Sequence, residues 1–309
     1  MEKRIFTKLL ACLPVILAGG CSWFARENIG AGLELPLNDA PQVSIVVPKL
    51  AHSGGLAFDS EGILYFANHL NPGTIGRYAV DQLEPATVFI DLNEWLTTYG
   101  DQAPIVQGLT IDAEGRLIGA VLGTGKIIRV SPDASKVEVL ADSHEGILFS
   151  SVHDVVLAPE GLVYASSPDE GVIYRISPDE GKVQIVNQEL VRADGLAISP
   201  DGKCLVVAEP DAARVLVFSL ENEYPENAPV STLDFSGSGQ SPRGLLFDKQ
   251  GRLFVGMGEA GTVNVFDLTE TRLLRTYEVG GSADRLFLRE GELWISGGRD
   301  GGVRKLTLK

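Results

Sequence analysis

The chain has 309 residues, of which 44% are hydrophobic and 22% charged, the balance of a folded protein and not of a disordered one. Its formal net charge of −15, from 26 Lys and Arg against 41 Asp and Glu, leaves no basic surface to displace counterions from a phosphate backbone, so nucleic acid is excluded as a partner. Thirty-five Gly and 16 Pro are scattered along the whole length, which points to many tight turns joining many short elements and hence to an all-β protein.

Residues 1–20 read as an address. Lys3, Arg4 and Lys8 come first, an apolar run from Leu9 to Ala18 follows, and Leu17-Ala18-Gly19-Gly20 leads into Cys21. The run is shorter than the roughly 20 apolar residues that cross a bilayer. The segment resembles the bacterial lipoprotein signal, whose terminal Cys is lipidated. That resemblance implies lipidation at Cys21 and a place in the bacterial cell envelope. Ser22 after the Cys, instead of Asp, points to the outer membrane facing the periplasm. Residues 21–40 hold Gly30, Gly32, Pro36 and Asn38 and read as a tether to a domain at 41–309. With Cys12 removed and Cys21 acylated, Cys204 has no cysteine to bond; its setting, Lys203-Cys204-Leu205-Val206-Val207, is that of a packed strand thiol.

From residue 55 onwards one pattern recurs: an apolar run, a four-residue turn ending in Gly, then another apolar run. The turns are Asp59-Ser60-Glu61-Gly62, Asp112-Ala113-Glu114-Gly115, Ala158-Pro159-Glu160-Gly161, Ser199-Pro200-Asp201-Gly202, Asp248-Lys249-Gln250-Gly251 and Leu288-Arg289-Glu290-Gly291. Asp or Ser first can bond the turn amides, and Gly last accepts positive φ, so each turn joins two strands of a hairpin. Further strand pairs follow in most units, as in Val172–Ile176 and Lys182–Val186, and four strands in a unit of this length make a propeller blade. The sixth unit ends one strand short. Gln42–Val47 is a strand without a hairpin partner, so it is expected to complete the last blade and close a six-bladed β-propeller.

The innermost strand of each blade begins at one mouth of the central channel. Counting eight residues back from each turn Gly puts Gly54, Gln107, His153, Asp194, Arg243 and Ala283 there, with Asp284 one place on. The ends of the second strands add Asn68, Val121, Ser166, Glu209, Met257 and Gly297. Gln107, His153, Asp194, Glu209, Arg243 and Asn68 are therefore the candidate residues for binding a small polar or anionic molecule. Asp194, Glu209 and Asp284 are the candidate ligands for a cation. His153 beside Asp194 offers a base and Arg243 an oxyanion partner, while the alternative is that Arg243 pairs with Asp194 or Glu209 across the channel. Between blades one and two, Asn93–Gly100 reads as a short helix capped by Asn93. Ser236–Ser241 is a second connection on the same face.

The stretches Asp194–Lys203 and Gly108–Leu117 resemble blades of the senescence marker protein and gluconolactonase family, six-bladed calcium-dependent hydrolases of lactones and related esters, and the likeness runs over residues 41–309. The resemblance implies Ca²⁺ as cofactor, held by a Glu at the start of blade one, Asn residues from two middle blades and an Asp that also serves as base. By register those places hold Gly54, His153 followed by Asp154, Asp194, and Arg243. Asp194 alone is an oxygen ligand of comparable reach, and a guanidinium at Arg243 repels a cation. Three functions follow as expectations: a lipid-anchored, monomeric propeller binding a small polar or anionic ligand, a divergent metal-dependent lactone or ester hydrolase, and a periplasmic interaction platform.

Overall fold

The computed structural model describes residues 42–308 apart from 83, 98–101, 222–227 and 299–300; the signal segment, Cys21 and the tether lie outside the described residues. Six four-stranded antiparallel sheets form the six blades of a β-propeller. Their inner strands, in chain order, are Leu56–Phe58, Val106–Ile111, Asp154–Leu157, Leu196–Ile198, Leu245–Phe247 and Arg285–Arg289. The second strands are Ile63–Ala67, Leu117–Val121, Val163–Ser167, Cys204–Glu209, Leu253–Gly256 and Glu292–Ser296. A small hairpin, Ser143–His144 with Ile147–Leu148, interrupts the connection between blades two and three.

The turn chemistry expected from the repeat is present. All six turn glycines have positive φ, from 72° at Gly202 to 87° at Gly161. Asp59 Oδ1 accepts from the amides of Glu61 and Ile63, and Asp112 and Asp248 do the same in their own turns. Blade six departs from this. There Arg289 pairs directly with Glu292, so Glu290 and Gly291 alone make the turn, where blades one, two, three and five use three residues and blade four uses four. Both adopt positive φ, the conformation a two-residue hairpin needs to follow the twist of its strands.

Blade six is completed by Val43–Val47, which pairs with the third strand, Val303–Thr307, as Val43 with Leu306 through Val47 with Val303. Closure covers the edge of Val303–Thr307 that would otherwise be left open. Gly302 stands where that strand arrives: a Cβ there would lie 1.6 Å from the Val47 carbonyl oxygen. Gly302→Ala is therefore expected to push the closing strand aside and cost about 1–3 kcal/mol or more, seen as a lower urea midpoint. An unchanged midpoint would show that the closure relaxes without penalty.

Alternate residues of each strand face the two neighbouring blades, and the apolar ones collect into six clusters, one at each blade interface. At the seam between blades six and one, Trp294 meets Phe58 edge to face with ring centroids 5.1 Å apart. Cys204 lies buried in the cluster between blades four and five, as its strand setting indicates. The short helix after blade one is a single 3-10 turn, Leu92–Glu94. Its cap is Asp91 and not Asn93: the Asp91 carboxylate accepts the Asn93 amide, which a free Asn93 side chain could not do for itself. The remainder of the expected helix reaches residues outside the described ones. The Ser236–Ser241 connection is a hydrogen-bonded turn anchored by Ser241 Oγ donating to the Pro210 carbonyl.

Candidate functional site

Each inner strand runs away from one face, and the backbone pairing that ends each hairpin defines a ring of equivalent positions there. The amides of His153, Asp194, Arg243 and Asp284 all donate to carbonyls at or next to the ends of their second strands, Ser166, Ala208, Gly256 and Ser296. The mouth ring is thus Gly54, Gln107, His153, Asp194, Arg243 and Asp284. Ala283 is not in it; it is buried and bridges Gly258, because the shorter turn of blade six moves the count by one.

Four of these side chains form a linked chain of polar and charged groups across blades three to six. His153 Nδ1 is 2.7 Å from Asp194 Oδ1, Arg243 Nη1 donates to Asp194 Oδ2 at 3.1 Å, and Arg243 Nε is 3.9 Å from Asp284 Oδ1. Asp284 is further fixed by Ser282 Oγ and by the Gly298 amide. On the other side of the mouth Gln107 Nε2 meets His52 Nδ1 at 3.3 Å.

One layer deeper the equivalent positions are Gly55, Gly108, Asp154, Gly195, Gly244 and Arg285. At the four glycines a Cβ would press on the next blade, closest at Gly195, 1.9 Å from the Arg243 carbonyl oxygen. The two that are not Gly carry opposite charges, and both are buried. Arg285 Nη1 donates to the Asp284 carbonyl at 2.8 Å and faces Asp194 Oδ1 at 3.5 Å, while Nε donates to the Gln107 carbonyl at 3.1 Å. Its Nη2 is 3.0 Å from His153 Nδ1, and Asp154 Oδ1 is 3.9 Å from Nε. Beneath this layer the six inner strands enclose a cavity of about 220 Å³. The count from the turns missed Arg285, although a signal was present: Gly-Leu in four repeats becomes Asp154-Val155 and Arg285-Leu286 in the other two.

The electrostatics follow from burial and neighbours. Burial alone would raise the Asp194 carboxyl, but His153, Arg285 and Arg243 outweigh it and hold it well below the usual carboxylate range. Asp154 shows the opposite balance: burial pushes it up, and Arg285 with the Leu196 amide only partly offsets that. Burial works against the Arg285 charge, yet Asp154, Asp194 and Asp284 together make it a still firmer cation. His153 Nδ1 stands between an acceptor, Asp194 Oδ1 at 2.7 Å, and a donor, Arg285 Nη2 at 3.0 Å; in one tautomer its hydrogen turns to the nearer carboxylate. Nε2 is then a bare acceptor, and no described residue hydrogen-bonds to it. Arg243 keeps 36% of its side chain exposed, with Nη1 on Asp194 and Nε towards Asp284.

Two residues expected at the mouth belong elsewhere. Asn68 is buried with φ of 56°; its Nδ2 donates to the Val106 carbonyl at 2.7 Å and its Oδ1 accepts the amides of Gly73 and Val106. Every hydrogen-bonding atom of its amide oxygen and nitrogen thus staples blade one to blade two. Glu209 is buried too, its Oε1 accepting the Val191 amide at 2.6 Å and its Oε2 paired with Arg214. The pairing of Arg243 with Asp194, not with Glu209, is the cross-channel ion pair.

This donor set does not fit Ca²⁺. Both oxygens of Asp194, Asp284 and Glu209 are already engaged by N–H or O–H donors, and two guanidiniums stand at the centre where the cation would sit. Among the described residues no three His, Cys, Asp or Glu side chains are grouped to hold a metal ion. The expected ligand set Asp194, Glu209 and Asp284 is therefore not assembled.

Comparison with known proteins agrees with the architecture. Residues 133–285 match the family description SMP-30/Gluconolactonase/LRE-like region. A gluconolactonase of Zymomonas mobilis is 29% identical over 173 residues, 49% of either chain. Lactonase drp35 of Staphylococcus haemolyticus is 27% identical over 233 residues, 69% of this chain and 65% of that one. The matches thus span about half and just under two thirds of the length of these relatives. Among solved structures, a gluconolactonase from Xanthomonas campestris superposes with a TM-score of 0.72 at 22% identity, covering 87% of this chain and 90% of that one. A luciferin-regenerating enzyme does so with a TM-score of 0.68 at 16% identity, over 86% and 95%. The chain is a gluconolactonase-like six-bladed propeller.

Proposed function

We propose that this gluconolactonase-like propeller is held in the bacterial envelope by a lipid on Cys21 and binds a small anionic ligand, of the sugar-acid kind, at the mouth of its channel. The observation that carries the reading is Arg243: its guanidinium is fixed by buried Asp194 through Nη1 and approached by Asp284 at Nε, yet the side chain stays 36% exposed in a polar ring. A cation oriented in this way can bind a carboxylate through two parallel hydrogen bonds. Calorimetric titration of the purified protein with gluconate and related sugar acids tests it. Arg243→Gln is expected to weaken binding about tenfold or more, the effect of losing a charge-assisted hydrogen bond. Equal affinity in the two proteins, or no binding by the native chain, would overturn the reading.

A second reading, hydrolysis of a lactone ring, is favoured by the His153–Asp194 pair and by the lactonase names of the relatives. In it His153 Nε2 takes a proton from water as the water oxygen attacks the lactone carbonyl. Arg243 balances the oxyanion. The ring C–O bond then breaks, its oxygen takes the proton back from Nε2, and the open hydroxy acid releases its carboxyl proton to solvent, leaving a carboxylate that pairs with Arg243. No step needs a metal ion.

A further inference from the structure

The layer of six equivalent positions under the mouth is filled by one cation. The Arg285 guanidinium, buried among four blades, is surrounded by the carbonyl oxygens of Gln107 and Asp284 and by carboxylate oxygens of Asp154 and Asp194, at 2.8–3.9 Å. Oxygens of this kind, two charged and two neutral and supplied by separate strands, are what a hard divalent cation takes, but its bonds would be 2.3–2.6 Å as a rule for Ca²⁺. The observed distances are those of N–H donors and ion pairs, and the four glycines of the layer bring no side chain to it.

We infer that Arg285 is the resident cation of the channel: its guanidinium does the work of a divalent metal ion in gathering oxygens from blades two, three, four and six, and removing it uncovers a cation site. This inference does not depend on which ligand the mouth binds. It explains how buried Asp154 and Asp194 are tolerated together, since two carboxylates that close need a positive partner between them. It also explains why Arg243 can stand in the ring above, where it would repel a metal ion but has only to share Asp194 with a second guanidinium. The chemistry at the mouth then has a fixed electrostatic floor that a chelator cannot remove.

The test uses the purified native chain and two variants, Arg285→Ser and Arg285→Lys, both made together with Arg243→Gln so that no second guanidinium holds Asp194, with calcium chloride as the probe, read by calorimetry and by thermal unfolding with and without EDTA. The native chain is expected to give no binding heat and no shift in Tm on either addition. Arg285→Ser is expected to melt lower in EDTA and to regain about 5 °C at saturating Ca²⁺, because a ligand that binds only the folded state stabilises it by mass action. A variant that is unfolded in EDTA and folds when Ca²⁺ is added supports the inference equally. Arg285→Lys, which keeps a positive charge in the layer, is expected not to respond. Stoichiometric Ca²⁺ bound by the native chain overturns the inference. So does an Arg285→Ser chain that folds without gaining a Ca²⁺ response, or one that stays unfolded whether or not Ca²⁺ is present.

Discussion

Asp194→Asn is expected to destabilise the protein by about 3–5 kcal/mol, the range for stripping one partner from a buried ion pair. Asp194 has no exposed surface, and its two oxygens face His153, Arg243 and Arg285. Asparagine fills the same space but turns an NH₂ group towards guanidiniums, and it leaves buried Arg285 with Asp154, 3.9 Å away, as its nearest remaining carboxylate. The effect also has a definite pH dependence. The folded carboxyl is held below the ordinary range, so as pH falls the unfolded chain takes up this proton first. The contribution is complete above the ordinary carboxylate pKa and is lost as pH drops through that value and then through the lower folded one. Urea unfolding near neutrality and again in mild acid should show the native chain losing stability towards acid and the Asn variant losing less. Parallel losses in the two proteins would remove Asp194 from the account.

If the mouth opens lactone rings, His153→Gln should cut the rate by about 10²–10⁴, the usual contribution of a positioned general base. Glutamine can still donate to Asp194 from a site close to Nδ1, but it has no atom that takes a proton from water. The assay is acid release from gluconolactone above its spontaneous hydrolysis, set beside the urea midpoint of the same variant. A stable variant with a lost rate identifies a base, whereas a stable variant with the native rate makes His153 a wall residue that only orders Asp194 and Arg285.

The architecture was legible because the repeat carries its own ruler. Every turn ends in a Gly with positive φ, and strands of period two on either side can pack in only one way. The same ruler located His153, Asp194 and Arg243, which the structure brings together at 2.7 and 3.1 Å. It slipped by one in blade six, where Arg289 pairs with Glu292 and the turn loses a residue. It also misjudged Asn68 and Glu209. Both stand at the correct height, but height along a strand does not say which way a long polar side chain turns. A nearby unpaired amide drew each of them inward, Val106 for Asn68 and Val191 for Glu209. Arg285 escaped notice for a different reason: position counting looks for chemistry at the entrance, and this residue lies one pleat below it.

The closing strand has a direction as well as a partner. Val47 lies at the end of blade six that carries the mouth, paired with Val303, and Val43 at the opposite end, paired with Leu306. The polypeptide therefore joins the ring from the side of the hairpin turns. If the lipid proposed at Cys21 is present, its attachment enters the ring on the face opposite Arg243, so a molecule reaching the mouth need not pass the point of attachment.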